Sequence, residues 1–425
     1  PDDRYQSASG LKKDLEHCLE ALTQHNNIAP FPLGAEDISP ILKLPQRLYG
    51  RDNELEELFE LMEKIDEGQT RLLLVSGYSG IGKSSFVREV HRPLSRAHGR
   101  FITGKYDQFQ NIPYNGLIQA FRQCCLDLLS ESDDILQETK QQLFEHLGAA
   151  GQVLIDVIPE LALLIGTQEP APPLPPAEAQ NRFHRLFQKF VQSFATQQRP
   201  LVLFLDDLQW ASSNTFELIK KLLLDEQTQH LLIIGAYRDN EVDTVHPLSK
   251  ARDDLQQAEF PLHEVALKPL SPHSVRSWIA DALHADEEKV APLADSVYER
   301  TKGNPFFVET YLKTLYNDSF LYLDPNTNQW TWNEDKIAKT GITENVAALM
   351  TRQTLARTSI WSRGRSSLRR SSFRYEQNSR PRSCSADVHL VQRPRRVRAG
   401  RGGWRRVART CGASCRQSGR PCSAS

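Results

Sequence analysis

Eight consecutive residues, Gly77, Tyr78, Ser79, Gly80, Ile81, Gly82, Lys83 and Ser84, satisfy the pattern G-x-x-x-x-G-K-[ST] at every fixed position. Glycines at those positions let successive backbone N–H groups turn inward and form a nest for phosphate oxygens. Lys83 then supplies a cation for the β- and γ-phosphates, and the Ser84 hydroxyl supplies a ligand for Mg2+. The motif lies between an apolar run, Arg71-Leu-Leu-Leu-Val-Ser76, and a helix-compatible stretch that begins Ser85-Phe-Val-Arg88. A strand before and a helix after are what this chemistry needs, because the helix dipole favours the same negative charge. The ligand implied is a nucleotide phosphate with Mg2+.

A second group follows from the run Leu201-Val-Leu-Phe-Leu205, which ends in Asp206-Asp207. Open α/β sheets bind ligands beyond the carboxyl ends of their strands. Beside a phosphate loop, Asp206 is expected to hold Mg2+ through water, and Asp207 to orient or deprotonate an attacking water. Without that loop the same pair would read as a solvated strand end. Trp210 is expected to pack. A third run, Leu231 to Ala236, leads into Tyr237-Arg238. A guanidinium there could touch the γ-phosphate and distinguish ATP from ADP; for a lone arginine, a surface salt bridge is an equal alternative. Gly303-Asn304-Pro305 reads by itself as a turn.

The elements that must position these residues are legible in outline. Short, continuously apolar runs are expected of parallel strands covered on both faces, and here they alternate with helical patterns. The pattern predicts an α/β fold, a doubly wound parallel sheet of the P-loop NTPase type, over residues 48–245. The stripes Leu117, Ala120, Phe121, Cys124, Cys125, Leu128 and Phe183, Leu186, Phe187, Phe190, Val191, Phe194 have helical spacing and are expected to be core. Helical patterns at Ser271–His284, Glu287–Thr301 and Pro305–Tyr316 predict a small helical lid within 246–316. Phe320 to Trp332 reads as a hairpin around Asp-Pro-Asn. Upstream, an amphipathic helix over 7–23 carries Leu11, Leu15, Cys18, Leu19 and Leu22, and residues 27–47, with four prolines, read as a linker.

Charge divides the chain. Residues 1–350 hold 33 Lys and Arg against 51 Asp and Glu, whereas 351–425 hold 19 Arg, no Lys, and only Glu376 and Asp387 as acids. Seven cysteines in 425 residues do not make a disulfide framework. No run approaches the roughly 18 apolar residues of a membrane span, and no signal peptide is visible. A reducing, cytoplasmic protein without membrane attachment is expected.

In order along the chain, Tyr49-Gly-Arg51, the loop Gly77 to Ser84, Leu203-Phe-Leu-Asp-Asp-Leu-Gln-Trp210, Gly235-Ala-Tyr-Arg238 and Gly303-Asn-Pro305 resemble a known ATPase module. It is that of the signal-transduction ATPases with numerous domains, close to the origin-recognition-like AAA+ ATPases. More narrowly, the chain resembles the module of bacterial, largely cyanobacterial, sensor proteins, in which a serine/threonine kinase domain precedes the ATPase and GAF and histidine kinase domains follow. Residues 1–26 resemble the last helices of a protein kinase lobe, and 317–350 the start of a winged-helix region. The chain is accordingly expected to be a fragment of a longer protein.

The resemblance implies that Leu48, Tyr49, Gly50 and Arg51 lie near the adenine and that Gly77 to Ser85, including Ser85, wrap the phosphates. It implies Asp206 and Ser84 for Mg2+, Asp207 for the water, Arg238 as a sensor arginine, and Pro305 packed near the adenine from the lid. No kinase catalysis is implied, because the kinase Gly-rich loop, its Lys, the His-Arg-Asp loop and the Asp-Phe-Gly motif are absent from this sequence. The expected partners are ATP or ADP and the attached kinase, GAF and histidine kinase domains; self-association stays open. The Arg/Ser-rich tail, 351–425, departs from the family. It is expected to be disordered and the product of out-of-frame translation; a basic arm for nucleic acid and, more remotely, a zinc site at Cys411, Cys415 and Cys422 are the alternatives. Three functions remain open: a slowly hydrolysing ATP switch, a nucleic-acid-binding AAA+ initiator or transcription regulator, and a nucleotide-binding scaffold without turnover.

Overall fold

A computed structural model describes residues 5, 8–33, 41–96, 98–109, 112–324 and 327–339, all within the first of two compact units, Pro1–Leu355. The Arg-rich tail and residues 340–350 lie outside them. Five strands, β1 (Thr70–Ser76), β2 (Arg100–Lys105), β3 (Leu201–Asp206), β4 (Leu231–Tyr237) and β5 (Leu262–Ala266), form one sheet in the order β2-β3-β4-β1-β5. Every pairing is parallel. β4 is buried along its whole length, β3 through Leu205, and β1 from Leu72 to Val75. Apolarity at consecutive positions is therefore explained by cover on both faces.

Strand alternation sorts the side chains into two layers. Leu72, Leu74, Leu203, Leu205 and Ile233 join one apolar cluster, covered by helices Asn115–Leu128, Asp133–Leu147, Pro176–Gln192, Ser213–Leu223 and Pro247–Gln257. Leu73, Val75, Val202, Phe204 and Ile234 join the other, under helices Asp52–Asp66, Lys83–Arg88 and His91–Arg96. The phenylalanine stripe is core as expected: Phe187, Phe190 and Phe194 are fully buried around Phe121, with ring centroids 5.1 to 5.8 Å from it. Truncating such a buried ring to alanine costs about 3–5 kcal/mol.

The sheet layer extends beyond residue 245, where the sequence places the start of the lid. Helix Pro247–Gln257 buries Leu248, Ala251 and Leu255 against the first layer, and β5 pairs with β1 from Leu72↔Leu262 to Ser76↔Ala266. β5 escapes pattern recognition because it is an edge strand, Leu-His-Glu-Val-Ala, with only Val265 buried.

The lid has its own core. Helices Pro272–Leu283, Glu287–Thr301 and Pro305–Asn317 bury Val275, Ile279, Leu293, Val297, Val308 and Leu312 together. The antiparallel hairpin β6 (Leu321–Asp324) and β7 (Gln329–Trp332) adds Leu321 and Trp330 to that same cluster. The N-terminal helix, Ala8–His25, forms as expected, but its periodic leucines, Leu11, Leu15, Leu19 and Leu22, are 43 to 63% exposed.

Candidate functional site: the carboxyl edge of the sheet

Parallel register delivers the chemistry-bearing residues to one edge. Ser76 pairs with Tyr237, and Lys105 with Asp206, so β1, β2, β3 and β4 end side by side. The phosphate loop leaves β1 at Gly77 and enters helix Lys83–Arg88 through Gly82, whose φ of +98° strains any side-chain-bearing residue. At Gly80 a Cβ would lie 2.8 Å from Cβ of Phe306 in the lid. Glycine there permits the lid to touch the loop. Ile81 is buried, while Tyr78, Ser79 and Ser85 are exposed.

Lys83 is buried and donates to the carbonyls of Gly77 (2.6 Å) and Tyr78 (3.1 Å). Its pKa is pushed down chiefly by burial, opposed by the charge of Asp206. The Ser84 hydroxyl points at Asp206 Oδ2, 3.5 Å away. One hydroxyl and one carboxylate oxygen suit Mg2+, which keeps several waters and takes phosphate oxygens, and not a cation caged wholly by protein. No cluster of three or more His, Cys, Asp or Glu arranged for a metal occurs among the described residues.

Asp207 is the most constrained residue of the edge. It is non-glycine yet left-handed, with φ +54°, and its carboxylate is buried. Lys105 Nζ lies 2.8 Å from Oδ2; Gln209 Nε2 donates to Oδ1 at 3.1 Å, and Arg238 Nε lies 3.7 Å from Oδ1. Burial alone would raise the Asp207 pKa, but the hydrogen bonds from Lys105 and Gln209 and the charges of Lys105 and Arg238 outweigh it and hold the carboxyl below its ordinary range. Arg238 also pairs with Glu241 at 2.7 Å, and its guanidinium lies 5.1 Å from the Trp210 ring centroid. Trp210 therefore supports Arg238 as well as packing.

Lys105, Gln209 and Asn304 are the site residues that the sequence does not reveal. Asn304 caps helix Pro305–Asn317 by accepting from the N–H groups of Phe306 and Phe307, while its Nδ2 donates to Ser79 O at 3.0 Å. The Phe306 N–H also donates to Gly80 O, at 3.2 Å. Pro305 thus begins a helix whose N-terminus touches the phosphate loop.

Leu48 to Arg51 joins sheet domain to lid. Leu48 packs on the second sheet layer, whereas Tyr49 belongs to the lid core, stacking on Trp278 and donating to Asp281 Oδ2 at 2.8 Å. Gly50 is left-handed and lies against Ser274; Arg51, 5% exposed, donates to Lys268 O and Glu54.

A parallel sheet with β4 between β1 and β3, a glycine-lysine-serine loop after β1 and paired aspartates after β3 define a P-loop NTPase fold of the AAA+ type. Residues 47–234 match the family model described as "AAA ATPase domain". The chain is similar to hybrid signal transduction histidine kinase G of Dictyostelium discoideum, 31% identical over 433 residues that cover 82% of this chain and 12% of that protein. It is also similar to peroxide stress-activated histidine kinase mak3 of Schizosaccharomyces pombe, 22% identical over 422 residues, 79% of this chain and 17% of that one. The chain thus spans under a fifth of either kinase. Among solved structures, Cdc6p of Pyrobaculum aerophilum aligns with 65% of this chain and 64% of its own at 14% identity and a TM-score of 0.40. No described helix is long and apolar enough to cross a membrane.

Proposed function

We propose that residues 48–317 bind ATP with Mg2+ and hydrolyse it slowly, as a regulatory switch within a longer histidine-kinase-type signalling protein. The observation that carries this is the meeting of Lys83, Ser84, Asp206, Asp207 and Arg238 at one sheet edge, against a lid helix that reaches Ser79. Bound Mg2+ would neutralise phosphate charge and serve as a Lewis acid.

The chain's own residues then divide the work. Loop N–H groups between Gly77 and Ser84 bind phosphate oxygens. Lys83 exchanges its two loop carbonyls for β- and γ-phosphate oxygens. Ser84 and Asp206 would hold the cation. Asp207, kept anionic by Lys105, orients the attacking water, and Arg238 senses the γ-phosphate from the next strand.

Asn304 and Phe306 touch the phosphate loop itself, which supports coupling of lid position to phosphate occupancy. Similarity to two histidine kinases supports the signalling context. The test is ATP binding and turnover by the wild type, Lys83→Ala and Asp207→Asn. Weakened binding in the first variant and lost turnover with retained binding in the second are expected. Turnover unchanged in Asp207→Asn removes its assigned role, and absence of turnover in the wild type favours a scaffold.

A further inference from the structure

Gln209 lies two residues beyond Asp207 in a single 3-10 turn, Leu208–Trp210, and its side chain is used at both ends. Nε2 donates to Asp207 Oδ1 at 3.1 Å, and Oε1 accepts from the Arg238 backbone N–H at 3.2 Å. The amide orientation follows from its partners: a carboxylate oxygen accepts and a backbone N–H donates, so the flipped amide would break both bonds. The residue is 5% exposed, which leaves water little access to either bond.

The backbone of Gln209 is held as well. His246 Nδ1 accepts from the Leu248 N–H at 3.1 Å, which leaves the proton on Nε2, 2.9 Å from the Gln209 carbonyl. Through His246, the turn is therefore tied to the cap of helix Pro247–Gln257. Glutamine in a turn is ordinarily solvated; here Nε2 is bound to the cap of its own turn, while Oε1 and the backbone carbonyl reach the end of β4 and the cap of helix Pro247–Gln257.

We propose that Gln209 is a positioning residue for hydrolysis, whose buried amide fixes the Asp207 carboxylate to the end of β4 so that it and Arg238 address one point. This rests on Asp207 orienting the attacking water. Without Gln209, the carboxylate would keep one hydrogen bond, to Lys105 on a 60% exposed side chain, and Arg238 Nε at 3.7 Å, too far to fix its rotation. The second anchor at Oδ1 removes that freedom, and the bond to the Arg238 N–H sets its distance from the neighbouring strand.

The test uses the whole chain with Gln209→Met, which keeps length and removes both bonds, and His246→Leu, which loosens the same turn without touching the Asp207 carboxylate. Gln209→Met is expected to lower kcat about tenfold to a hundredfold while the dissociation constant for ADP stays within about twofold. His246→Leu, which keeps the Gln209 amide on Asp207, is expected to lower kcat less than Gln209→Met does. Should Gln209→Met fail to fold, Gln209→Leu is assayed with the same readouts. Wild-type kcat in the folded Gln209 variant overturns the inference, as does an equal loss of kcat in His246→Leu or a loss accompanied by weakened ADP binding. If Asp207→Asn itself leaves kcat intact, the underlying role of Asp207 fails and the inference falls with it; if Asp207→Asn is impaired and the Gln209 variant is not, only the inference fails.

Discussion

Lys105 Nζ lies 2.8 Å from Asp207 Oδ2, a contact created because β2 and β3 run in register and finish together at Lys105 and Asp206. More than a hundred positions separate the two in sequence, yet the ammonium is the leading cation on the carboxylate. The pairing also raises the pKa of Lys105 itself, chiefly through the hydrogen bond to Asp207.

Replacing Lys105 by Met removes both a hydrogen bond and a positive charge from Asp207 while burial remains. Its pKa should therefore rise, and the acid limb of ATP turnover should move to higher pH. The sign for stability follows from linkage: a carboxylate with a depressed folded-state pKa stabilises the fold above its unfolded pKa, about 3.9, and loses that contribution as pH falls through the folded value. The variant should accordingly lose part of the wild type's advantage at neutral pH over acid. A kcat–pH profile and thermal melts at both pH values check this; an unmoved limb means that Lys105 does not govern Asp207.

Asn304 has two separable jobs. Asn304→Ala loses the helix cap, at about 0.5–2 kcal/mol, together with the bond to Ser79. Asn304→Asp keeps an accepting cap but has no N–H to donate to the Ser79 carbonyl. Hydrogen exchange without nucleotide should show faster opening of helix Pro305–Asn317 in the alanine variant only, and loss of protection in the Ser79–Gly80 loop in both. Equal protection of the loop in Asn304→Asp and wild type would mean that the Ser79 contact does not hold it.

What was legible in the sequence was what is contiguous. The phosphate loop fills eight adjacent positions, and the buried strands announce themselves by unbroken apolar runs, so the fold and the placement of Lys83, Ser84, Asp206 and Asp207 could be anticipated. Lys105 could not, because its role exists only once β2 is laid beside β3. Gln209 escaped because its contacts with the Asp207 carboxylate and the Arg238 N–H exist only once Asp207 is left-handed and β4 lies beside β3. β5 carries His263 and Glu264 among its five residues, and Asn304 sits in a Gly-Asn-Pro sequence that reads as a turn, whereas its amide binds Ser79 O. In each case the missing information was tertiary: a register, a turn conformation or a contact across 225 residues.

Arg51 offers a test of how the lid is joined to the sheet domain. Its guanidinium is buried and divided between the Lys268 carbonyl, in the segment linking β5 to the lid, and the Glu54 carboxylate 3.3 Å away. Arg51→Met keeps much of the apolar stem but leaves the Lys268 carbonyl and Glu54 without this donor, at about 1–3 kcal/mol. Arg51→Lys should recover less than half of the loss, because a single ammonium does not reproduce a planar fork reaching two acceptors in different directions. Thermal unfolding without nucleotide should therefore rank wild type above Arg51→Lys and that above Arg51→Met. The cost should fall on the joint between lid and sheet, so isolated packing within either core stays unchanged and hydrogen exchange rises first in residues 267–274. Full rescue by lysine would mean that charge alone, and not the two-armed geometry, holds the joint.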